Sequence, residues 1–393
     1  METETTMIIG YDGKRAVANM TGIGNYSRLV IGSVAEAYPE DKLLIYTPKL
    51  KKNPRLKLIE SLHNVEFRVP PPSGFGGSLW RTFGITNHLR PDKVDIYHGL
   101  SNELPLNIRQ GGVATVVTIH DVIWRVLPHT FSWADRHIDD YKYGASCRNA
   151  TRIIAISENT KNDIVKYFGI NPDKIDIIYQ GCDDSFKKRI PEDGLEETRR
   201  RLNLPERYVL QVGTIEERKN LALTVKAMAA LPEDIKLVAV GKDRRGYKGI
   251  VEKTAEEAGV AGRIIFRDDI TFADLPAVNR MACVIAYPSR YEGFGIPVLE
   301  GLESEVPVVA AKGSCLEEAG GPGSIYVDPD SPQEMAEALR SVVEGRVDIQ
   351  EIIGKGKEYA RKFDNSTMAQ RIMEVYKKTI REFEGENESL KKG

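Results

Sequence analysis

Glu292 and Glu300 flank the turn Gly293-Phe294-Gly295-Ile296-Pro297, with seven residues between them, and are the carboxylates best placed to act on a hydroxylated ligand. Carboxylates accept hydrogen bonds from hydroxyls, while the glycines let a ligand reach main chain that a β-carbon would shield. The strand-like run Cys283-Val284-Ile285-Ala286 precedes the turn. Pro297 suits a helix start, where unpaired N–H groups and the helix dipole favour an anion. Acidic groups for hydroxyls beside amides for phosphate point to a nucleotide sugar. A second element, Gly213-Thr214-Ile215-Glu216-Glu217-Arg218-Lys219, puts two adjacent cations after a strand and before a helix, where arginine can grip phosphate through two donors. His120-Asp121 follows another strand and reads equally well as a base with its carboxylate or as a histidine capping a strand end. Asn102 closes the similar run His98-Gly99-Leu100-Ser101-Asn102.

Continuous β-branched runs such as Ala114-Thr115-Val116-Val117-Thr118-Ile119 read as strands buried on both faces of a parallel sheet. Ligands in such sheets lie beyond the carboxyl ends of the strands, where these candidates fall. Strand and helix alternate from Thr6 to Ile178, fade through the charged stretch Gln180 to Arg207, and resume at Tyr208. The fold class is α/β, with doubly wound sheets in two domains, 1–185 and 205–362, joined by a linker at 186–204 and meeting at a cleft. Residues 11–24 read as a loop leading to a helix over 25–36, and 70–77 as a further loop. Gly22-Ile23-Gly24-Asn25-Tyr26-Ser27 fails as a dinucleotide fingerprint, because Ser27 replaces the third glycine and the strand lies too far upstream. A helix over 366–384 carries Met368, Ile372, Val375, Tyr376, Thr379 and Phe383 on one face, followed by a polar tail.

Lys and Arg total 55 against 57 Asp and Glu, so no global field favours nucleic acid. Cys147, Cys182, Cys283 and Cys315 are dispersed and suggest neither zinc nor disulfides. Asp328-Pro329-Asp330 has D-x-D form, but Ser331-Pro332-Gln333-Glu334 follows as a capping box, so a cap is the stronger reading and no metal site is assigned. An acidic start and the lack of any run of roughly 20 apolar residues indicate a cytoplasmic protein. Lys49, Lys51, Lys52, Arg55 and Lys57 would suit contact with anionic lipid at the inner face of the membrane, though a solvated surface is the stronger reading.

Glu292 and Glu300 with Gly-Phe-Gly after the first resemble the E-x7-E element of retaining family 4 glycosyltransferases, and Gly213 to Lys219 resembles the G-x(4)-R-K element that holds the donor diphosphate there. The resemblance covers nearly the whole chain and is nearest to bacterial mannosyl- and rhamnosyltransferases of polysaccharide assembly. It implies the GT-B fold, with the C-terminal helix crossing back to the first domain. It also implies transfer of a hexose, with GDP-mannose the first choice of donor, to a saccharide or lipid-linked acceptor, with retention and without a cofactor or metal. Glu292 would hold a sugar hydroxyl and Glu300 the ribose; Arg218, Lys219 and the Gly293–Gly295 amides would stabilise the leaving diphosphate. Gly241, Asp269 and Ile270 would border the nucleobase. The Gly22–Gly24 loop would line the acceptor side with Asn102, His120 and Asp121, the histidine contacting the donor sugar. Thr214 departs from the arginine that many members carry. A nucleotide-sugar 2-epimerase of the same architecture and an inactive sugar-nucleotide binding protein are the rival readings.

Overall fold

The computed structural model describes residues 6–71 and 77–392, so most of the expected 70–77 loop lies outside the described residues. The chain divides into two units, residues 1–180 with 364–393, and residues 181–363.

The first unit holds one sheet of seven strands: β1 (Ile8–Asp12), β2 (Lys42–Tyr46), β3 (Val65–Arg68), β4 (Ile96–Gly99), β5 (Ala114–Ile119), β6 (Arg152–Ala155) and β7 (Ile175–Ile177). Their order is β3-β2-β1-β4-β5-β6-β7, and every pairing is parallel. All six residues of β5 are buried, as expected of a strand covered by helices on both faces. The order reverses between β1 and β4, whose carboxyl ends therefore frame a crevice where ligands of open α/β sheets bind.

The expected loop at 11–24 is instead largely helical, with α1 (Lys14–Ala18) and α2 (Gly22–Ala37). Side chains tie down the carbonyls that a bare loop would leave to water. Arg28 donates to Ala16 and Asn19, Asn53 to Val17, and Arg55 to Met20. The short α3 (Ile123–Val126) and the long α4 (Trp133–Asn149) follow β5. In α5 (Glu158–Phe168), Ser157 caps the start by accepting from the Thr160 N–H, as its sequence predicts.

The C-terminal helix, Asn365–Lys392, extends through the segment expected as a tail. It belongs to the first unit, where the Tyr376 hydroxyl lies 2.6 Å from His98 Nδ1 and Glu382 pairs with Arg152 at 2.8 Å. Met368, Ile372, Val375, Tyr376 and Thr379 are all buried, which explains the apolar stripe.

The second unit includes α6 (Glu192–Leu202), which lies within the stretch 186–204 read from sequence as a linker. Its sheet holds β8 (Tyr208–Val212), β9 (Lys236–Val240), β10 (Ile264–Arg267), β11 (Val284–Tyr287), β12 (Val308–Ala311) and β13 (Ser324–Val327), in parallel order β10-β9-β8-β11-β12-β13. Its switch point lies between β8 and β11. Helix α7 (Leu221–Ala227) follows β8, α8 (Ile296–Glu303) follows β11, and α9 (Pro332–Val343) follows β13. Ser331 caps α9 by accepting from the Glu334 N–H, and Asp328 accepts from the Asp330 N–H, so this D-x-D is cap structure.

Candidate active site

The two charged elements separated in sequence meet at the switch point of the second unit. From β8 the chain turns through Gly213 into a short 3-10 turn, Glu217–Lys219; from β11 it runs through Tyr287 to the Glu292 loop. The Arg290 N–H donates to the Arg218 carbonyl at 2.9 Å, locking one loop onto the other. Asn220, in the left-handed conformation at φ 57°, donates through its amide to the carbonyls of Pro288 and Pro329. Gln211 fixes the other side by donating to the Lys219 carbonyl while accepting from Thr224.

Within this frame one oxygen of Glu292 gathers the site. Its Oε1 accepts from Lys219 Nζ at 2.6 Å, from Ser289 Oγ at 2.6 Å and from the Tyr287 hydroxyl at 3.1 Å, and lies 2.7 Å from Arg218 Nη1. Its Oε2 accepts from none of the described residues. Arg218 also donates to the Tyr291 carbonyl and pairs with Glu216 at 2.6 Å. Burial alone would push the Glu292 carboxyl up, but Arg218 and Lys219 outweigh it and hold the group down at about 2. Burial pulls Lys219 down while Glu292 pulls it back. Two largely buried cations therefore converge on Glu292, with Glu216 pairing Arg218 on its other side, so a polyanion entering here would meet both cations already oriented.

Glu300 is placed differently. It lies in α8, 8% exposed, and no described residue hydrogen-bonds to its carboxyl. Burial pushes its pKa up to about 8, and the neighbouring Asp183 adds to the rise. Gly295 precedes α8 at φ 119°, and a β-carbon there would meet Leu316 Cδ2 at 2.7 Å, so glycine is required on two counts. Pro297 sits in the first turn of α8, as its sequence position predicts. The Phe294 side chain is buried against Phe363, with ring centroids 5.4 Å apart, so of this residue only main chain is offered to a ligand.

Gly213 and Gly241 end the adjacent strands β8 and β9 and come into close contact. A β-carbon on Gly241 would lie 1.9 Å from the Gly213 carbonyl oxygen. Gly241→Ala is expected to lower stability by about 1–3 kcal/mol, the usual cost of overpacking. Urea unfolding would show a lower midpoint at unchanged slope; an unchanged midpoint would contradict the contact. Thr214 is half-buried beside these glycines. Asp269 lies past β10, exposed and held at about 2 by two hydrogen bonds from Arg267, with Ile270 next to it.

In the first unit the acceptor-side candidates fall at the carboxyl ends of β4 and β5. The Asn102 side chain accepts from the His120 N–H at 2.6 Å and donates to the Tyr143 hydroxyl at 3.0 Å. His120 Nε2 lies 2.9 Å from the Leu100 carbonyl, so Nε2 carries the proton and Nδ1 keeps its lone pair. Its ring stands edge-on to Tyr26 at 4.6 Å, and burial pushes its pKa down to about 4, with the field of Arg15 adding to the fall. Asp121 accepts from the Ile123 N–H at 3.3 Å, at the start of α3. Gly22 is the first residue of α2 and faces open space, whereas Gly24 packs on the Asn19 carbonyl, where a β-carbon would lie 2.0 Å from the oxygen.

Sequence reasoning did not single out Tyr287, Ser289 or Glu216, which complete the charge cluster. The signal was present in Tyr287 and Ser289, which stand five and three residues before Glu292.

Residues 30–186 match the family model Glycosyltransferase Family 4, and residues 195–363 match Glycosyl transferases group 1. The O-antigen chain mannosyltransferase B of Escherichia coli is 27% identical over 62% of this chain, and the match spans 63% of that relative's own length. The D-inositol 3-phosphate glycosyltransferase of Corynebacterium diphtheriae is 27% identical over 77% of this chain and 74% of its own. Among solved structures, Anabaena HepE in complex with UDP and glucose superimposes with a TM-score of 0.74 at 21% identity, over 95% of this chain and all of that one.

Proposed function

Because this chain joins a Glycosyltransferase Family 4 segment to a group 1 segment and so belongs with the GT-B glycosyltransferases, we propose that it transfers a hexose from a nucleoside diphosphate sugar to a saccharide or lipid-linked acceptor, with retention at the anomeric carbon. The observation that carries this reading is the convergence of Arg218 and Lys219 on Glu292 at the carboxyl ends of β8 and β11. Mannose from GDP-mannose is the first choice of donor, supported by the relatives named as mannosyltransferases. The nucleotide sugar is a substrate, and no cofactor is assigned.

Departure of the nucleoside diphosphate builds negative charge on its outer phosphate. Arg218 and Lys219 are already oriented before the donor arrives, so they meet that charge with little reorganisation, and no metal ion is assigned the task. Glu292 keeps both cations protonated and in place through Oε1, leaving Oε2 to accept from a sugar hydroxyl. Glu300 would take the ribose hydroxyls. No side chain is assigned as a covalent nucleophile; the acceptor attacks on the side the leaving group vacates, and a phosphate oxygen takes its proton.

The test is release of nucleoside diphosphate from GDP-mannose, UDP-glucose, UDP-GlcNAc or dTDP-rhamnose in the presence of a sugar acceptor. Interconversion of the donor sugar alone would point to an epimerase, and inertness towards all four to a binding protein. Lys219→Ala is expected to weaken nucleoside diphosphate binding roughly 10- to 100-fold, the loss of one charge-assisted hydrogen bond. Unchanged affinity by calorimetry would remove Lys219 from the diphosphate site.

A further inference from the structure

Helix α4 presents an aromatic row that the fold leaves uncovered. Trp133, His137 and Tyr141 recur every fourth residue, with Trp133 68% and Tyr141 63% exposed. The Trp133 and His137 rings lie 4.1 Å apart between centroids, and His137 Nδ1 lies 2.7 Å from the Trp133 carbonyl, so the platform is braced from its own helix. Beside it is a cavity of about 310 Å³ lined by Trp124, Arg125, Trp133, Arg136, His137 and Asp140 among others, within the ~300–1,000 Å³ usual for small-molecule sites.

Two residues that line this cavity carry buried donors without partners among the described residues. Trp124 is 3% exposed, yet its indole N–H has no partner among the described residues, and Arg136 Nε is likewise buried and without one among them. Buried donors in folded proteins are almost always satisfied, so two unpaired ones beside a cavity call for an acceptor nearby. Arg125 and Asp140 pair across the same wall through two hydrogen bonds. The lining thus combines indole rings, a guanidinium–carboxylate pair and two buried N–H donors close behind them.

A pyranose matches this combination. Its C–H face is apolar and weakly positive and lies well on an indole, while each hydroxyl at its edge both accepts and donates. The cavity is also connected to the end of β5. Trp124 stands edge-on to Tyr143 at 4.5 Å, the Tyr143 hydroxyl accepts from Asn102, and Asn102 holds the His120 N–H.

We propose that this cavity is a saccharide subsite holding a sugar of the acceptor chain other than the one that receives the transferred hexose. The inference rests on the transferase reading for the word acceptor, but not for the binding itself. An acceptor that reaches the subsite is at least a disaccharide, and a single sugar would be used less well.

The probes are soluble manno-, gluco- and galacto-oligosaccharides of one to five units, added to the full chain. Trp124 and Trp133 are two of its three tryptophans, so indole fluorescence reports occupancy directly. At least one series is expected to shift the emission, with affinity rising from one unit to two or more. Trp133→Ala, at an exposed position, should weaken that binding about tenfold. Trp124→Phe, which keeps a ring but removes the N–H, should weaken it several-fold. Both variants should bind nucleoside diphosphate as the parent does. Absence of any response across the three series, or a Trp133→Ala variant that binds as tightly as the parent, would overturn the subsite. Turnover of a nucleotide sugar with no effect of Trp133→Ala removes the subsite and leaves the transferase reading; oligosaccharide binding lost in Trp133→Ala without turnover of any donor does the reverse.

Discussion

Replacing Glu292 by alanine is expected to lower the unfolding free energy by about 3–5 kcal/mol, because the change strips a buried ion cluster of its shared carboxylate. The side chains of Arg218 and Lys219 are only 14% and 13% exposed. Arg218 would keep Glu216, but Lys219 would keep only the Tyr287 hydroxyl and ring. The melting temperature should fall by roughly 10 °C, given a few degrees per kcal/mol for a unit of this size. Transfer should slow by a factor on the order of 10–100 through loss of the hydrogen bond to the sugar. A purely structural glutamate would show the first effect without the second. A further measurement separates a general loss of stability from a specific one: GDP or UDP supplies the anion that Glu292→Ala lacks, so each should raise the melting temperature of the variant by more than that of the parent. Equal ligand-induced shifts, or an unchanged melting temperature, would show that Glu292 does not neutralise this pair.

That cluster illustrates what could be read from the residues and what could not. The association of Arg218 and Lys219 with Glu292 was legible because both elements end strands of one parallel sheet, and ligands gather at such ends. The single-oxygen geometry was not legible, because it depends on the register of two loops, fixed by Asn220 and Arg290 through main-chain bonds. Strand β5 matches its sequence span, Ala114 to Ile119, since a continuous, mostly β-branched run admits few alternatives. Strands β12 and β13 were missed: each is four residues long, one of small residues after Pro307 and one half-buried at the sheet edge. Helix α4 was missed for the opposite reason, since it turns Trp133, Ile138 and Tyr141 outward and carries no clean apolar stripe. The helical character of residues 14–18 was hidden because carbonyls of Ala16 and Val17 are held by Arg28 and Asn53, partners no local pattern announces.

Ionisation of Glu300 is expected to cost stability as the pH rises from about 4.5 to 8, and Glu300→Gln should remove that contribution. In the unfolded chain Glu300 loses its proton near 4.5, whereas in the folded protein burial first, and the charge of Asp183 second, hold the proton on to about 8. Between those values this carboxyl binds more proton in the folded state than in the unfolded state, so its contribution is a loss of stability with rising pH, complete above 8 and absent below 4.5. A shift of this size is worth on the order of 5 kcal/mol. Denaturant midpoints of the parent and Glu300→Gln between pH 5 and 9 should therefore diverge, with the variant the more stable on the alkaline side; parallel curves would mean that Glu300 ionises as an ordinary surface carboxylate. The same group should couple to the nucleotide. Ribose hydroxyls donating to the carboxylate would favour its charged form, so binding expels a proton and affinity rises with pH until about 8. Titration calorimetry in two buffers of different ionisation heat would register that proton for the parent and none for Glu300→Gln. A parent that binds nucleotide without releasing a proton at pH 7 would place the ribose elsewhere, even if the diphosphate remains on Arg218 and Lys219.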